Sequence, residues 1–389
     1  MSIPVPRSIF LLASMAAVAL SQTPGGRPEP IVSPEVGPEN RVTFRIRAPK
    51  ASEVLVSASV GTLNPKPAGA VKDQPGMWNM PMHKDATGLW SLTIGPLEPD
   101  AYRYAFFVDG VRAIDQANPS VRPGGTILWS YFDIAGNPPR FDELQDVPHG
   151  SVQFRTYRAT ESKIFRTVVI YTPPDYDRYP GRKFPVLYLL HGGGDSEEGW
   201  VRLGKAPEIE ENLLAQHKTV PMLIVMPYGD TPGDATTFES IEAFGRELFG
   251  DVFPIVEKNY RVTANRENRA IVGFSMGGGQ SFTLGLRYPD KFAWVGEFSA
   301  GAFGMRGFDL EKQVPGFLKD PAAINQELKL LFLGCGTEDT RYPAHIKLTE
   351  LLTKSGIHYE FHDTPGEHEW RVWRPLLAEF MPKLFRSKP

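Results

Sequence analysis

Apolar and polar residues alternate along Val42-Thr43-Phe44-Arg45-Ile46-Arg47, the period of a strand with one buried and one wet face. Val54 and Val56 continue the pattern, as do Trp90, Leu92 and Ile94. Tyr102, Tyr104 and Phe106 place three aromatics on one strand face, which is how a core is built, and Asp109-Gly110 supplies a hairpin turn. Short strands at this spacing, with no convincing helix among them, predict a small antiparallel β-sandwich over 41–137. A Pro-rich stretch, 138–150, reads as a linker.

Beyond residue 150 the rhythm changes. Apolar, β-branched runs without alternation occur at Thr167–Tyr171, Val186–Leu190, Met222–Met226, Ala270–Val272 and Leu328–Leu333, as in strands buried on both faces of a mostly parallel sheet. Helical stretches lie between them; one spans Ile241 to Asn259, with Phe244, Leu248, Val252, Ile255 and Val256 on one face. This alternation predicts a layered α/β domain over 151–389 with right-handed crossovers.

The N-terminus is read differently. A basic start is followed by the apolar run IFLLASMAAVAL and by small residues at Ala19-Leu20-Ser21, the pattern of an export signal over 1–21 cleaved near Ser21-Gln22. The run is too short to span a membrane comfortably, so a secreted or periplasmic mature protein is expected. Residues 22–40, rich in Pro and Gly, read as a linker. The 42 Lys+Arg and 45 Asp+Glu leave a net charge of −3, which argues against a nucleic-acid partner, whose phosphates would demand a basic face. The single cysteine, Cys335, excludes an intramolecular disulfide and a cysteine-based zinc site.

The strongest chemical signal is Gly273-Phe274-Ser275-Met276-Gly277, directly after the run Ala270–Val272 and before a helical stretch ended by Pro289. G-x-S-x-G between strand and helix holds the serine in a strained turn at a helix N-terminus, and predicts Ser275 as a nucleophile. A serine nucleophile needs a base, and the base needs an orienting acid; in the α/β-hydrolase order both follow the serine. Gly334-Cys335-Gly336-Thr337-Glu338-Asp339 puts a carboxylate past a strand end, with Asp339 preferred and Glu338 its rival. His368, after Thr364-Pro365-Gly366-Glu367, stands where the base is expected; His358 and His362 fall in a strand pattern and His345 on a helix. Leu189-Leu190-His191-Gly192-Gly193-Gly194 has the form of an oxyanion loop. It offers the backbone N–H of Gly193, with Gly194 as rival, to pair with that of Met276. His191 is then structural.

With these motifs in place, LYLLHGGGDSEEGW, PMLIVMPYGD, VGFSMGGGQS, GCGTED and GEHEWRVWRPLL, in that order over Ser151 to Phe385, resemble the esterase D-like, feruloyl-esterase-type α/β-hydrolases of the carbohydrate esterase family 1 kind. The preceding GLWSLTIGPLEPDAYRYAFFVDGV is similar to the early-set, immunoglobulin-like module of glycogen-branching enzymes. The resemblance implies hydrolysis of carboxylic esters, often feruloyl or acetyl groups on polysaccharides, with the triad Ser275, Asp339 and His368. It also includes siderophore esterases and mycolyltransferases, so an acyltransferase or an enterochelin-type esterase is an alternative.

Such a reaction needs no metal and no organic cofactor, and its partner is the ester substrate itself. Trp200, Trp370 and Trp373 lie near motif residues; Trp200 and Trp373 are candidates to meet an aromatic acyl group, against the plainer expectation that they pack in the core. A sugar-binding protein with a secondary hydrolase domain is the alternative of another class. An intact triad and oxyanion loop argue against it. A peptidase on the same fold uses the same machinery and ranks below the esterase on the resemblance.

Overall fold

Alternation along the early strands sends every second side chain into one shared core. In the computed structural model the strands are β1 (Glu35–Val36), β2 (Val42–Arg47), β3 (Val54–Ala58), β4 (Val71–Gln74), β5 (Met77–Pro81), β6 (His83–Lys84), β7 (Leu89–Ile94), β8 (Ala101–Val108), β9 (Val111–Ala113), β10 (Val121–Arg122) and β11 (Trp129–Asp133). They form two antiparallel sheets, β1-β2-β7-β6 and β10-β11-β8-β3-β5-β4, with β9 paired to β8. Val42, Phe44, Leu92 and Ile94 from one sheet meet Val54, Val56, Tyr102, Tyr104 and Phe106 from the other in one apolar cluster. The three aromatics of β8 are core, with Tyr102 stacked on Phe132 at 5.3 Å between ring centroids and Phe44 against Tyr104 at 4.9 Å.

The structure describes residues 30–61, 65–74, 76–122, 128–231, 237–300 and 310–386. The expected export signal lies outside the described residues. Among them, no helix is long and apolar enough to cross a membrane.

The second part is built on eight strands: β12 (Ser151–Arg158), β13 (Phe165–Thr172), β14 (Val186–Leu190), β15 (Leu223–Pro227), β16 (Arg269–Gly273), β17 (Trp294–Phe298), β18 (Leu330–Gly336) and β19 (Glu360–Thr364). Their order is β12-β13-β15-β14-β16-β17-β18-β19, and only β13 runs against the rest. The helices are α1 (Gly199–Arg202), α2 (Ala206–Ala215), α3 (Phe238–Glu247), α4 (Phe253–Asn259), α5 (Met276–Arg287), α6 (Leu310–Gln313), α7 (Pro321–Glu327), α8 (Tyr342–Ser355) and α9 (Trp370–Phe380). Alternate residues of the central strands feed opposite faces: Val186, Tyr188 and Leu190 join the cluster under α3, α4 and α5, while Leu187 and Leu189 join that under α2 and α9. This two-sided burial is why these strands read as continuous apolar runs.

Several boundaries move. The helix expected over Ile241 to Asn259 begins at Phe238, and a π turn at Leu248–Val252 separates α3 from α4. The strand expected at Leu328–Leu333 is Leu330–Gly336, because Gly334 and Gly336 fit a strand squeezed against Leu376 and the Gly366 carbonyl. The strand-like stretch read from Ile357 to His362 is Glu360–Thr364.

The stretch 138–150 is coil, but it is fastened. Arg374 of α9 is 1% exposed; its Nε pairs with Asp142 at 2.8 Å, its Nη1 donates to the Leu203 carbonyl at 2.7 Å, and its Nη2 pairs with Asp100 just before β8. Asn212 Nδ2 donates to the carbonyls of Phe141 and Glu143. A buried charge tied on three sides is costly to break from one side, since its partners remain desolvated. Arg374→Met is expected to lower stability by about 3–5 kcal/mol, read as a lower denaturant midpoint at unchanged slope in equilibrium unfolding.

Candidate active site

Four parallel strands end on one edge of the sheet, and each is followed by a residue the motifs single out. Gly193 follows β14, Ser275 follows β16, Asp339 follows β18, and His368 follows β19. Parallel register makes this convergence unavoidable.

Ser275 joins β16 to α5 with φ 54° and ψ −116°, far from ordinary serine backbone. The turn closes because no side chain obstructs it. A Cβ on Gly273 would stand 2.6 Å from the Gly277 carbonyl carbon, and one on Gly277 would stand 2.5 Å from the His191 carbonyl oxygen. The Ser275 N–H donates to the Phe298 carbonyl at 2.9 Å, and its own carbonyl accepts from Gly279 N–H, the first bond of α5. The positive φ is therefore held from both sides.

Asp339 is 3% exposed and its Oδ2 lies 2.7 Å from His368 Nδ1. Oδ1 accepts from the Arg341 backbone N–H at 2.9 Å and meets the Arg341 guanidinium at 3.4 Å. Glu338 points to solvent. Burial pushes the Asp339 carboxyl up, but the His368 hydrogen bond and charge, together with Arg341, outweigh it and bring its pKa to about 2. The His368 imidazole is held below its ordinary value: burial is the main cause and the charges of Arg341 and Arg103 add to it, against the raising effect of Asp339. At neutral pH this is an ionised acid beside a neutral base.

The loop expected to supply oxyanion donors directly follows β14. Gly193 and Gly194 are exposed, Gly194 at φ +72°, and a Cβ on Gly193 would stand 3.9 Å from Met276 Cβ at the start of α5. His191 holds this loop from beneath. Its Nε2 accepts from Gly229 N–H at 2.9 Å, so the proton is on Nδ1, 2.8 Å from the Gly192 carbonyl.

The tryptophans answer differently from the substrate-contact expectation. Trp200 is 1% exposed, with Nε1 donating to the Leu190 carbonyl; Trp373 is 5% exposed, stacked on Phe274 at 4.0 Å with Nε1 donating to Ser299 Oγ. Both rings pack in the apolar cluster under the elbow with Trp370, because the turn around Phe274 leaves a volume only large rings fill. Trp373 also meets the His368 ring edge-to-face at 4.9 Å, which links the serine turn to the histidine loop.

Other contributors carry no sequence signal. Glu367, one residue before His368, accepts from Lys72 Nζ and from the Gly76 N–H at the β4–β5 turn. Glu297 and His345, both fully buried, pair at 2.8 Å, and Glu297 also accepts from the Ala300 N–H. Burial works against the His345 charge, but Glu297 and Cys335 outweigh it and raise its pKa well above the ordinary value. His362 is a sheet residue as expected, stacked on Phe332 and paired with Glu379. Among the described residues there is no cluster of His, Cys, Asp or Glu fit to hold a metal. An NMR titration should find the His368 ring titrating below pH 6.5. Arg341→Met removes a charge that opposes protonation, so the midpoint should move up; a midpoint that stays or falls contradicts the electrostatics described.

Comparison with known proteins is consistent with this geometry. The esterase family, described as putative esterase, matches residues 161–384. An endo-1,4-beta-xylanase/feruloyl esterase of Xylanibacter ruminicola is 31% identical over 365 residues, 91% of this chain and 46% of that protein. An esterase of Mycobacterium tuberculosis is 27% identical over 52% of this chain and 52% of its own length. The chain thus spans about half the length of these curated relatives. Among solved structures, a ferulic acid esterase of Anaeromyces mucronatus in complex with ferulic acid aligns with TM-score 0.54 and 24% identity over 65% of this chain and 98% of that one. The enterobactin esterase of Shigella flexneri aligns with TM-score 0.62 and 19% identity over 89% and 93%. These likenesses show an α/β-hydrolase fold, and by the family match over more than half its length this chain belongs to the esterase family.

Proposed function

We propose that the protein is a serine carboxylic-ester hydrolase acting on feruloyl or acetyl esters of polysaccharides. The observation that carries this is the Asp339–His368 hydrogen bond at 2.7 Å, in the loops that leave the same sheet edge as a serine held at positive φ. The relative with xylanase and feruloyl esterase in its name, alike over 91% of this chain, supports the substrate class. Export through residues 1–21 belongs to the same proposal, since a polysaccharide substrate lies outside the cell.

In the proposed reaction Ser275 Oγ attacks the ester carbonyl carbon while His368 takes its proton. The tetrahedral oxyanion is held by the N–H groups of Gly193 and Met276 at the start of α5. Its collapse breaks the bond to the alcohol, which leaves with the proton from His368. Water then attacks the acyl-enzyme by the same route and releases the acid. Asp339 keeps the Nδ1–H tautomer and stabilises the imidazolium formed at each attack. Burial beneath Trp373 and the neighbouring cations keep His368 ready as a base near neutrality.

A siderophore ester is the second reading. It is favoured by the enterobactin esterase aligning over 89% of this chain, sandwich included, where the ferulic acid esterase covers 65%. The feruloyl reading is preferred because the Xylanibacter ruminicola relative also spans the sandwich, at higher identity.

The test is initial rates on methyl ferulate and p-nitrophenyl acetate, with Ser275→Ala as control. Turnover lost in the variant is expected, and no turnover by the folded wild-type protein rejects the esterase. The kcat/KM should rise with pH through a midpoint below 6.5 and stay level above it, since the base must be deprotonated. Asp339→Asn should lower kcat by roughly 10^3- to 10^4-fold, with the fold intact by circular dichroism.

A further inference from the structure

The outer face of the sheet containing β8 turns away from the sandwich core. There Met77, Ala105 and Trp129 form a small buried apolar cluster. Two arginines stand over the Trp129 ring, Arg103 at 4.9 Å and Arg112 at 3.9 Å from its centroid. Register explains the placement: Arg103 lies opposite Tyr131 of β11, and Arg112 lies opposite Phe107 at the other end of β8. Tryptophan is the best aromatic platform for a guanidinium, and stacking on a ring is compatible with hydrogen bonds made in the guanidinium plane.

The pair lacks the partners that buried charge requires. Arg112 Nε is buried without a hydrogen-bond partner, and so is Asn79 Oδ1 on the same face of β5. Among the described residues, no carboxylate forms an ion pair with either arginine. Asp73 and Glu369 act on them only at longer range, Asp73 on Arg112 and Glu369 on Arg103. Burial, with the neighbouring charge of Arg112, pulls the Arg103 guanidinium down to about 10. Two adjacent, half-buried cations without a carboxylate in direct contact gain from an anion that arrives between them.

Arg103 connects this face to the segment that follows His368. Arg103 lines a crevice of about 10 Å³ with Ser59, Asp100 and the segment Glu369–Arg371, which directly follows His368. Its charge is among those acting on the His368 ring.

We propose that Arg103, Arg112 and Trp129 form a subsite for a carboxylate carried by the ester substrate. The inference rests on the esterase reading and adds a charge requirement to it. A carboxylate there accepts paired N–H bonds from the guanidinium forks, which the buried Trp129 ring beneath them holds in place. The charge has two sources. It sits on the alcohol side, as in an acylated uronic acid, or on the acyl side, as in a half-ester of a dicarboxylic acid.

The experiment compares matched charged and neutral esters: O-acetyl glucuronate against O-acetyl glucose, and monoethyl succinate against ethyl butyrate. The wild-type protein should favour the charged member of one pair, and the pair that responds identifies the source. The charged-to-neutral ratio of kcat/KM should fall roughly ten- to hundredfold in Arg112→Met, mainly through KM. Arg112→Lys keeps the charge without the planar fork and should fall between. The same ratio should drop in wild-type protein between about 10 mM and about 1 M ionic strength, as the screening length shrinks from about 30 to about 3 Å; this arm needs no variant to fold. Calorimetric titration of glucuronate and of succinate into the Ser275→Ala protein, against glucose as control, tests the subsite apart from turnover. A folded protein that prefers the neutral ester of both pairs, or binds neither anion, overturns the subsite while p-nitrophenyl acetate hydrolysis leaves the esterase standing. Saturable anion binding without any ester turnover keeps the subsite and rejects the esterase.

Discussion

The guanidinium of Arg374 is the tie on which the relation between sandwich and hydrolase depends. One side chain, 1% exposed, reaches Asp100 before β8, Asp142 in the coil 138–150 and the Leu203 carbonyl after α1. It does so from α9, the helix that starts two residues after His368. Arg371, one turn earlier, adds a second pairing to Asp100 at 3.3 Å. Desolvating three ions together is tolerable only if every donor and acceptor finds its place. The arrangement therefore admits one seating of the sandwich on α9, and that seating brings Lys72 and Gly76 to Glu367 beside the histidine.

A second constraint acts from inside the hydrolase sheet. The serine turn needs backbone where other folds put side chains, and Gly273 and Gly277 meet that need. The aromatic stack of Phe274 on Trp373, with Trp370 and Trp200 around it, fills the space beneath the turn. Because Trp373 touches His368 as well, the same ring packs against the serine turn and the proposed base. Rigid packing of this kind is what keeps reacting groups within the narrow geometry that proton transfer requires.

How far these features can be read from sequence follows from their range. The turn at Ser275, the glycine loop after β14 and the positions of Asp339 and His368 past strand ends are local patterns, each set by a strand, a turn and a few glycines, and they are legible. So is the two-sided burial of Val186–Leu190. Strand ends slip by two or three residues because Gly334 and Gly336 are poor strand formers on their own, and only the close approach of Leu376 and Gly366 accounts for them. The π turn at Leu248–Val252 is invisible to a periodicity of 3.6. Arg374, Glu367 and Arg103 look like ordinary surface charges in sequence; their roles depend on partners separated by 274 residues for Asp100–Arg374 and 295 for Lys72–Glu367. Trp200 and Trp373 show the converse: proximity to a motif in sequence put them under the site rather than in it.

The electrostatics of His368, the proposed base, join these parts. Asp339 alone would raise the His368 pKa, and a base that is largely protonated at neutrality is a poor one. Burial against Trp373 and the charges of Arg341 and Arg103 reverse that tendency while leaving the Asp339 bond intact. Arg341 comes from the same loop as the acid, but Arg103 comes from β8 of the sandwich. The N-terminal sheets are thus part of the electrical environment of the histidine as well as a cover over its loop. A sandwich that merely tethered the hydrolase would not need a half-buried cation here, and the cost of desolvating Arg103 is an argument that its field on His368 is used.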